Sequence, residues 1–340
     1  SFDFSLAASF QDIDKLDGGD GSDTLTVKVS AATSLKPELE NIENVTFTNT
    51  AAAETDLTIN AVDTASGYDN ITNVSSTGGL ILNNLQSLPS KFTINNSGDT
   101  MVLDFEAAAV AGDADNLLIN LTGTGTTPTL EITADGTGDI ETVTINSTAQ
   151  ANTLTTLTTA DVDPSKLVVT GDQGLTITNA LSAEITTVDA SAMTGVAGLT
   201  LSAAPGYATG ITFMGGAGAD AVTGTAGIDN VTGGAGNDTI TMTALAATDT
   251  IDGGDGADTL SISQTIASAT VLGGVSNVET LAVTTAKNVT LAAAISATTF
   301  DLTDTDAQVL TLDQGYTGAT TGVLATYLGG DSVDSADGVD

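Results

Sequence analysis

The sequence predicts an all-β protein, an elongated parallel β-solenoid or β-roll, and three observations support that prediction. A nine-residue unit repeats without interruption over Gly215–Thr241. Elsewhere, short segments rich in Thr, Ile, Val and Leu alternate apolar and polar residues between bounding Gly, Asn or Asp. Aromatic residues make up only 4% of the chain, so the core must consist of small aliphatic side chains. Such a core suits the stacked coils of a solenoid better than a β-sandwich, which is the alternative for strands at this spacing.

The alternating segments are the predicted strands, and helix is expected to be scarce. The strands are predicted at Leu57–Ile59, Leu80–Leu82, Phe92–Ile94, Leu117–Leu121, Leu130–Ile132, Lys166–Thr170, Leu175–Thr178, Glu184–Asp189, Leu199–Ser202 and Ile211–Met214. Two segments, Phe105–Ala111 and Ala319–Leu328, are the candidate helices.

The composition excludes several classes of function. The 340 residues include 43 Asp and Glu against 6 lysines and no arginine, which gives a formal net charge of −37. There is no His or Cys, so a Ser-His-Asp triad, a Cys-His pair and a zinc finger are impossible. Six cations cannot neutralise a nucleic-acid backbone, and no apolar run approaches the roughly 18 to 20 residues of a membrane span. We therefore expect no nucleic-acid partner and no membrane insertion.

The nine-residue units have Gly at positions 1 and 4 and, in all but one unit, at position 2, with Asp at position 6 and an aliphatic residue at position 8. Three units stand in tandem from Gly215 to Thr241, reading GGAGADAVT, GTAGIDNVT and GGAGNDTIT. Full copies recur as GGDGSDTLT from Gly18 and as GGDGADTLS from Gly253. Glycines allow positive φ, so six residues can turn tightly, and the triplet around position 8 then forms a short strand with one side chain in the core.

The spacing of the aspartates predicts calcium sites. Two units make one coil, so Asp220 and Asp238, which are 18 residues apart, should face each other on neighbouring coils. Asp258 follows Asp238 by 20 residues because a two-residue insertion lies between them. Stacked turns then offer carboxylate and carbonyl oxygens, which suit Ca²⁺ better than the stricter octahedral Mg²⁺. The plainer interpretation is a tight turn that uses Asp as a turn former, but turn chemistry does not require Asp at position 6 of every unit.

The candidate calcium ligands are the position-6 aspartates together with the glycines and acidic residues of their turns. They are Gly18, Gly19, Asp20, Gly21, Asp23, Gly215, Gly216, Gly218, Asp220, Gly224, Gly227, Asp229, Gly233, Gly234, Gly236, Asp238, Asp249, Gly253, Gly254, Asp255, Gly256 and Asp258. A degraded unit and the onset of a further cluster add Asp14, Gly329, Gly330, Asp331 and Asp334. Other acidic loops, at Asp113–Asn116, Asp161–Asp163 and Asp301–Asp306, are interpreted as solvated carboxylates or as accessory calcium sites.

A larger repeat gives the domain organisation. A calcium-type turn cluster is followed by a strand with the pattern N-[IV]-E-x-[VL] near both ends of the chain, at Asn41–Val45 and Asn277–Leu281, and Asp139–Val143 is a third, partial copy. We expect a turn cluster at 1–30, an irregular β-solenoid body at 31–214, a calcium-binding β-roll at 215–262, a β-solenoid module at 263–328 and the start of a further cluster at 329–340. The chain is expected to be a fragment of a longer protein.

The nonapeptides match the repeat-in-toxin (RTX) pattern GGxGxDxUx, where U is aliphatic. Together with the N-[IV]-E-x-[VL] strands, the Thr, Ala, Gly and Asp richness and the absence of Cys, they make the chain resemble the RTX-type S-layer proteins of bacteria such as Caulobacter. The resemblance implies several bound Ca²⁺ ions, type I secretion, folding on Ca²⁺ outside the cell and self-assembly into a two-dimensional lattice at the bacterial surface. It carries the ligand role to Asp23, Asp220, Asp229, Asp238 and Asp258.

The expected partners are calcium and further copies of the chain, with a cell-surface glycan or lipopolysaccharide reached through a part outside this sequence. Two alternatives remain open at this point. The chain could be a calcium-rigidified repeat segment of a large RTX adhesin, which shares the ions and differs in its partner. It could also carry RTX modules of a polysaccharide lyase or epimerase, but the absence of His and Arg favours a protein that is not an enzyme.

Overall fold

The computed structural model describes residues 1–4, 15–61, 67–123, 128–136, 138–159, 161–201, 209–266, 269–283, 289–291, 297, 299–302, 309–312 and 332–335. The chain divides into two compact units, Ser1–Ile185 and Thr186–Asp340. Every strand pair recorded in either unit is parallel, as in successive coils of a solenoid. The prediction of an all-β parallel β-solenoid is therefore confirmed.

The first unit stacks its coils in two main parallel sheets. One sheet contains, in order, β1 (Phe2–Phe4), β3 (Thr24–Val29), β6 (Ile42–Asn49), β8 (Gly67–Val74), β10 (Lys91–Asn95), β12 (Asn116–Leu121), β14 (Thr142–Ser147) and β17 (Lys166–Gly171). The other contains β4 (Thr33–Leu35), β7 (Leu57–Asn60), β9 (Leu80–Leu85), β11 (Met101–Glu106), β13 (Thr129–Asp135) and β16 (Thr156–Thr158). Two further pairs are β2 (Lys15–Asp17) with β5 (Glu38–Glu40) and β15 (Asn152–Leu154) with β18 (Leu175–Ile177).

The second unit repeats this arrangement with shorter strands. One sheet contains β19 (Thr187–Met193), β21 (Thr212–Met214), β23 (Asn230–Ala235), β25 (Thr250–Asp255) and β27 (Val275–Ser276). Another contains β20 (Ala197–Leu201), β22 (Ala219–Thr223), β24 (Thr239–Met242), β26 (Thr259–Ile262), β28 (Thr280–Val283) and β30 (Thr299–Leu302). A third contains β29 (Val289–Leu291), β31 (Val309–Leu312) and β32 (Ser332–Ser335).

The core lies between the sheets and follows the period of two residues. In β11 the buried residues Met101, Leu103 and Phe105 alternate with half-exposed neighbours. The same alternation continues across coils, since Leu103 pairs with Leu82 on one side and Ile132 on the other. Like side chains therefore stack on like, and each coil seals the core of the next.

The helix predicted at Phe105–Ala111 differs from the structure. Strand β11 runs on to Glu106, and only a short 3-10 helix, Ala107–Val110, follows it. The alternation that buries Phe105 outweighs the helix preference of a three-alanine run, which is far too short to nucleate a helix alone. A second short 3-10 helix lies at Ala269–Leu272. The other candidate, Ala319–Leu328, lies outside the described residues.

Candidate calcium-binding turns

The nonapeptides of the second unit fold as their pattern predicts. Their position-8 residues Val222, Val231, Ile240 and Leu260 are buried in the core. The registers pair Val222 with Ile240 and Ile240 with Leu260 on one face, so equivalent positions of successive coils lie side by side. The aspartate two residues earlier in each unit is thereby carried to the same corner of each coil.

Three of these aspartates form what we call the first carboxylate row, made of Asp220, Asp238 and Asp258. The backbone N–H of Asp220 donates to Oδ1 of Asp238 over 2.8 Å, and that of Asp238 donates to Oδ1 of Asp258 over 2.8 Å. The other oxygen of Asp220, Oδ2, accepts from the backbone N–H of Gly216 in its own turn, at 2.8 Å. The carboxylates of Asp238 and Asp258 therefore each accept a hydrogen bond from the backbone of the preceding coil.

Asp229 and Asp249 form the second carboxylate row, in the alternate units. The backbone N–H of Asp229 donates to Oδ1 of Asp249 over 3.0 Å. Oδ2 of Asp249 accepts from the backbone N–H of Ala246 at 2.7 Å, and Oδ2 of Asp229 accepts from that of Thr225 at 2.8 Å. Asp249 thus makes the contacts of a position-6 aspartate although its unit lacks the glycines. The two inserted residues lie before this unit and do not disturb these contacts.

Both rows are shielded from solvent, which makes their charges costly. All five aspartates are buried, with Asp238 1% and Asp258 0% exposed. Burial raises the pKa of Asp220 and of Asp258. Burial, with the charges of Asp220 and Asp258 as lesser causes, raises the pKa of Asp238 to about 6. The first row therefore needs a positive counter-charge at neutral pH.

Two buried carboxylate oxygens are available as ligands for a cation. Oδ2 of Asp238 and Oδ2 of Asp258 have no hydrogen-bond partner among the described residues. A Cβ added to Gly233 would lie 2.3 Å from Oδ2 of Asp238 and 2.2 Å from the carbonyl oxygen of Gly253. The absence of a side chain at Gly233 therefore leaves a space that a carboxylate oxygen of one turn and a carbonyl oxygen of the next turn both face. Ca²⁺ prefers oxygen ligands of these two kinds.

The glycines at positions 2 and 4 permit the turns to stack. A Cβ on Gly254 would lie 2.0 Å from the carbonyl oxygen of Gly234, and one on Gly256 would lie 1.6 Å from that of Gly236. Gly254 and Gly256 also have φ values of +100° and +148°, which L side chains rarely adopt. At Gly254 and Gly256 any other residue would push neighbouring turns apart and fill the space between them.

The N-terminal turn in the first unit has a related but more open geometry. Gly19 and Gly21 have positive φ, and Asp23 is partly buried, with its backbone N–H donating to Oε2 of Glu43 over 2.6 Å. Asp20 is exposed, as is Asp255 in the corresponding position of the second unit. The position-3 aspartates therefore line the outside of their turns and differ from the buried position-6 aspartates.

Within the described ranges, no three Asp, Glu, Cys or His side chains gather closely enough to hold a metal between them. The candidate sites are instead pairs of carboxylates combined with backbone carbonyls. Three segments of the chain, residues 11–26, 214–241 and 241–261, match the family described as the RTX calcium-binding nonapeptide repeat (4 copies). The chain carries RTX repeats. RTX nonapeptide repeats bind calcium, and here they lie in a β-solenoid. No curated protein and no solved structure matches the chain.

The remaining predicted site residues fall in different places. Asp14, Gly329, Gly330 and Asp331 lie outside the described residues, and Asp334 lies in β32, where it pairs with Thr311. Among the acidic loops, Asp113, Asp161 and Asp163 are exposed. Asp115 is half-buried and accepts from the backbone N–H of Gly112 at 3.0 Å, so it adopts part of the RTX turn geometry without a second glycine.

Sequence reasoning missed the role of three glutamates. Glu43, Glu141 and Glu279 each accept the backbone N–H of an aspartate one coil earlier. A signal was present, because each glutamate stands two residues before a buried aliphatic residue, as the position-6 aspartates do. The N-[IV]-E pattern is thus a position-6 pattern with Glu in place of Asp.

Proposed function

We propose that the chain is a calcium-dependent structural protein that folds on Ca²⁺ outside the bacterial cell and self-assembles into a two-dimensional S-layer lattice. The observation that carries the calcium part is the first carboxylate row, in which three stacked aspartates are buried and two of their oxygens find no partner in the described parts of the chain. The ligands are the position-6 aspartates with the glycine turns predicted from the sequence. The turn clusters at 1–30 and 215–262 are their domains.

The energetics support calcium as the switch for folding. Sites of the extracellular type have dissociation constants of about 10⁻⁴ to 10⁻³ M. At about 1 mM free calcium, a site with a constant of about 10⁻⁴ M adds about 1.4 kcal/mol to the stability of the folded chain. A handful of such sites supplies several kcal/mol, which is comparable to the whole net stability of about 5–15 kcal/mol of a typical domain. Where free calcium is low, the buried carboxylates of the first row have no counter-ion, and their charges would lower the stability of the folded coils.

The structural part of the proposal is supported by the fold and the composition. Stacked parallel coils give a rigid, repetitive body, and the chain has neither His nor Arg to build common catalytic sites. No helix in the described residues is long and apolar enough to cross a bilayer. The proposal includes a non-catalytic role, neighbouring copies as partners, and attachment to a surface glycan or lipopolysaccharide through a part outside this sequence.

The test combines spectroscopy with electron microscopy. Purified protein is freed of calcium and then titrated to about 5 mM Ca²⁺, a range that spans the affinities of extracellular sites. Far-ultraviolet circular dichroism should show β-structure increasing with calcium, and negative stain should show ordered sheets that chelation disperses. A spectrum unchanged by thorough chelation would overturn calcium-coupled folding. A chain that folds on calcium and stays monomeric by light scattering would overturn the lattice and favour the adhesin segment.

A further inference from the structure

Two Asn-[Ile/Val]-Glu segments lie against RTX turns with the same contacts, although they are far apart in the sequence. A Cβ on Gly253 would lie 1.9 Å from the carbonyl oxygen of Asn277, and a Cβ on Gly18 would lie 1.9 Å from that of Asn41. Gly18 and Gly253 are the first glycines of their nonapeptides. The asparagine carbonyl therefore takes the place that the carbonyl of Gly253 takes above Gly233 within the β-roll.

The conformation of the two asparagines is also shared. Asn41 and Asn277 have φ values of 54° and 49°, in the left-handed region that Asn adopts more readily than most residues. The side-chain amide of Asn277 donates to Oδ1 of Asp252 over 2.7 Å, and that of Asn41 donates to Oδ1 of Asp17 over 2.8 Å. Both bonds tie the asparagine to the residue directly before the glycine turn and so fix its carbonyl above that turn.

The two glutamates occupy the place that a position-6 aspartate would take on the next coil. Oε2 of Glu279 accepts the backbone N–H of Asp258 over 2.8 Å, just as Oδ1 of Asp258 accepts that of Asp238. Glu43 binds the backbone N–H of Asp23 in the same way, at 2.6 Å. Each segment thus presents a carbonyl and a carboxylate in the two places that the next nonapeptide of a row would fill.

At the C-terminal end of the row a buried oxygen is left for a ligand. Oδ2 of Asp258 is 0% exposed and has no hydrogen-bond partner in the described part of the chain. It lies 2.7 Å from the position that a Cβ on Gly253 would take, beside the carbonyl oxygen of Asn277. A buried carboxylate oxygen without a partner is costly, and a cation that it shares with the Asn277 carbonyl would remove that cost.

We propose that the Asn-[Ile/Val]-Glu segments complete the last calcium site of each RTX cluster. Asn277 contributes its backbone carbonyl and Glu279 its carboxylate to an ion shared with Asp258, and Asn41 and Glu43 do the same for Asp23. The proposal rests on the calcium binding of the RTX turns and adds ligands from outside the nonapeptides. Each RTX cluster would then bind one calcium ion more than its pairs of neighbouring nonapeptides could bind alone.

The third glutamate provides a matched control. Oε2 of Glu141 accepts the backbone N–H of Asp115 over 2.6 Å, so its hydrogen bond is the same. Its segment begins with Asp139 in place of asparagine, and the turn before Asp115 contains the single glycine Gly112 instead of a glycine pair. Oδ2 of Asp115 accepts from Gly112, and the half-buried Asp115 has no fully buried oxygen without a partner, unlike Asp258. The Glu141 segment is therefore expected to bind no ion.

The experiment counts bound calcium in the folded full-length chain. The variants are Glu279→Gln, Glu43→Gln, the double variant and Glu141→Gln, because glutamine can still accept the backbone N–H while it lacks the charge. Calcium is counted by equilibrium dialysis with ⁴⁵Ca²⁺, and folding is checked by circular dichroism. We expect one ion fewer, or one site weakened by about tenfold, in Glu279→Gln and in Glu43→Gln, two sites affected in the double variant, and no change in Glu141→Gln.

The outcomes separate this inference from the proposed function. If the unaltered chain takes up calcium and Glu279→Gln and Glu43→Gln keep the full number of ions at unchanged affinity, the inference fails while calcium binding stands. An equal loss in Glu141→Gln would also overturn it, because ion binding would then not depend on the asparagine and the glycine turn. If Glu279→Gln does not fold, the count in Glu43→Gln decides. Failure of the unaltered chain to bind calcium would overturn the proposed function itself.

Discussion

The backbone N–H of Asp238 donates to Oδ1 of Asp258 over 2.8 Å, while Oδ2 of each residue accepts no hydrogen bond from the described residues. The two oxygens of one carboxylate therefore serve different purposes. One joins consecutive coils through the backbone, and the other faces the glycine turn, where a cation can bind. This division connects the stability of the solenoid to its ion content.

Asp238→Asn should change stability in opposite directions with and without calcium. Asparagine keeps an oxygen for the N–H of Asp220 but removes a buried charge between Asp220 and Asp258. In calcium-free buffer at pH 7.5 the free energy of unfolding should rise, because a charge made costly by burial is removed and, as a lesser cause, repulsion along the row is reduced. In saturating calcium it should fall, because a ligand is lost. Urea unfolding followed by circular dichroism measures both, and Asp172→Asn, at an exposed position outside the RTX turns, should change neither. A fall in both conditions would contradict the prediction.

The pH dependence of the calcium-free protein should be the reverse of the usual acid denaturation. The pKa of Asp238 is raised to about 6 in the folded chain, and those of Asp220 and Asp258 are raised too, so the folded state binds more protons than the unfolded state. This contribution is present at acidic pH and is lost as the pH rises through about 6. Urea midpoints in calcium-depleted buffer should therefore be higher at pH 5 than at pH 7.5. Saturating calcium should reverse this order, since protons compete with the ion. Equal midpoints at the two pH values without calcium would argue against the buried row.

Gly256→Ala and Gly21→Ala compare the same nonapeptide position with and without a neighbouring turn. Both glycines have positive φ, so each alanine costs about 1 kcal/mol for its backbone conformation. The added Cβ of Gly256→Ala would also lie 1.6 Å from the carbonyl oxygen of Gly236, whereas no described heavy atom apart from its chain neighbours lies within 4 Å of that of Gly21→Ala. Gly256→Ala should therefore be the more destabilising by several kcal/mol and should weaken calcium binding. Similar losses of unfolding free energy in the two variants would show that turn stacking contributes little.

The position-8 residues should carry the hydrophobic part of the stability. Leu260 is fully buried between Ile240 and Leu281 on the neighbouring coils. Leu260→Ala should lower the free energy of unfolding of the calcium-bound chain by about 2–5 kcal/mol. Ile228→Ala is the control, because this side chain is 65% exposed and its removal should cost no more than about 0.5 kcal/mol. Urea unfolding at saturating calcium measures both, and equal effects would contradict this placement of the core.

The repeat spacing predicted the coil and its aspartate partners but not the bonds between them. The separation of 18 residues between Asp220 and Asp238 is a property of the sequence, and the structure places them on adjacent coils with a direct hydrogen bond. The orientation of the carboxylate, toward the backbone of the preceding coil, depends on how coils stack and has no local signal. Asp249 shows the same limit, since it keeps the buried geometry although its unit has lost its glycines.

The glutamates and the edges of strands were harder to predict for different reasons. Glu43 and Glu279 differ in side-chain length from the repeat aspartates, so a pattern built on Asp passes over them. The strand predicted at Glu184–Asp189 begins only at Thr187, because a turn bonds the backbone N–H of Ile185 to the carbonyl of Ser182. Period-two alternation identifies which residues enter the core, whereas such turns decide where each strand starts.

The burial of the carboxylate rows also determines how the protein responds to ionic strength. A concentrated monovalent salt acts through the solvent, and at about 1 M its screening length is about 3 Å. It can relieve repulsion among the many exposed acidic groups, but charges removed from solvent, such as those of Asp238 and Asp258, are screened far less. Molar sodium chloride therefore cannot replace an ion that enters the row. High salinity and calcium supply are two independent conditions for this chain, one acting on its outer surface and the other on its interior.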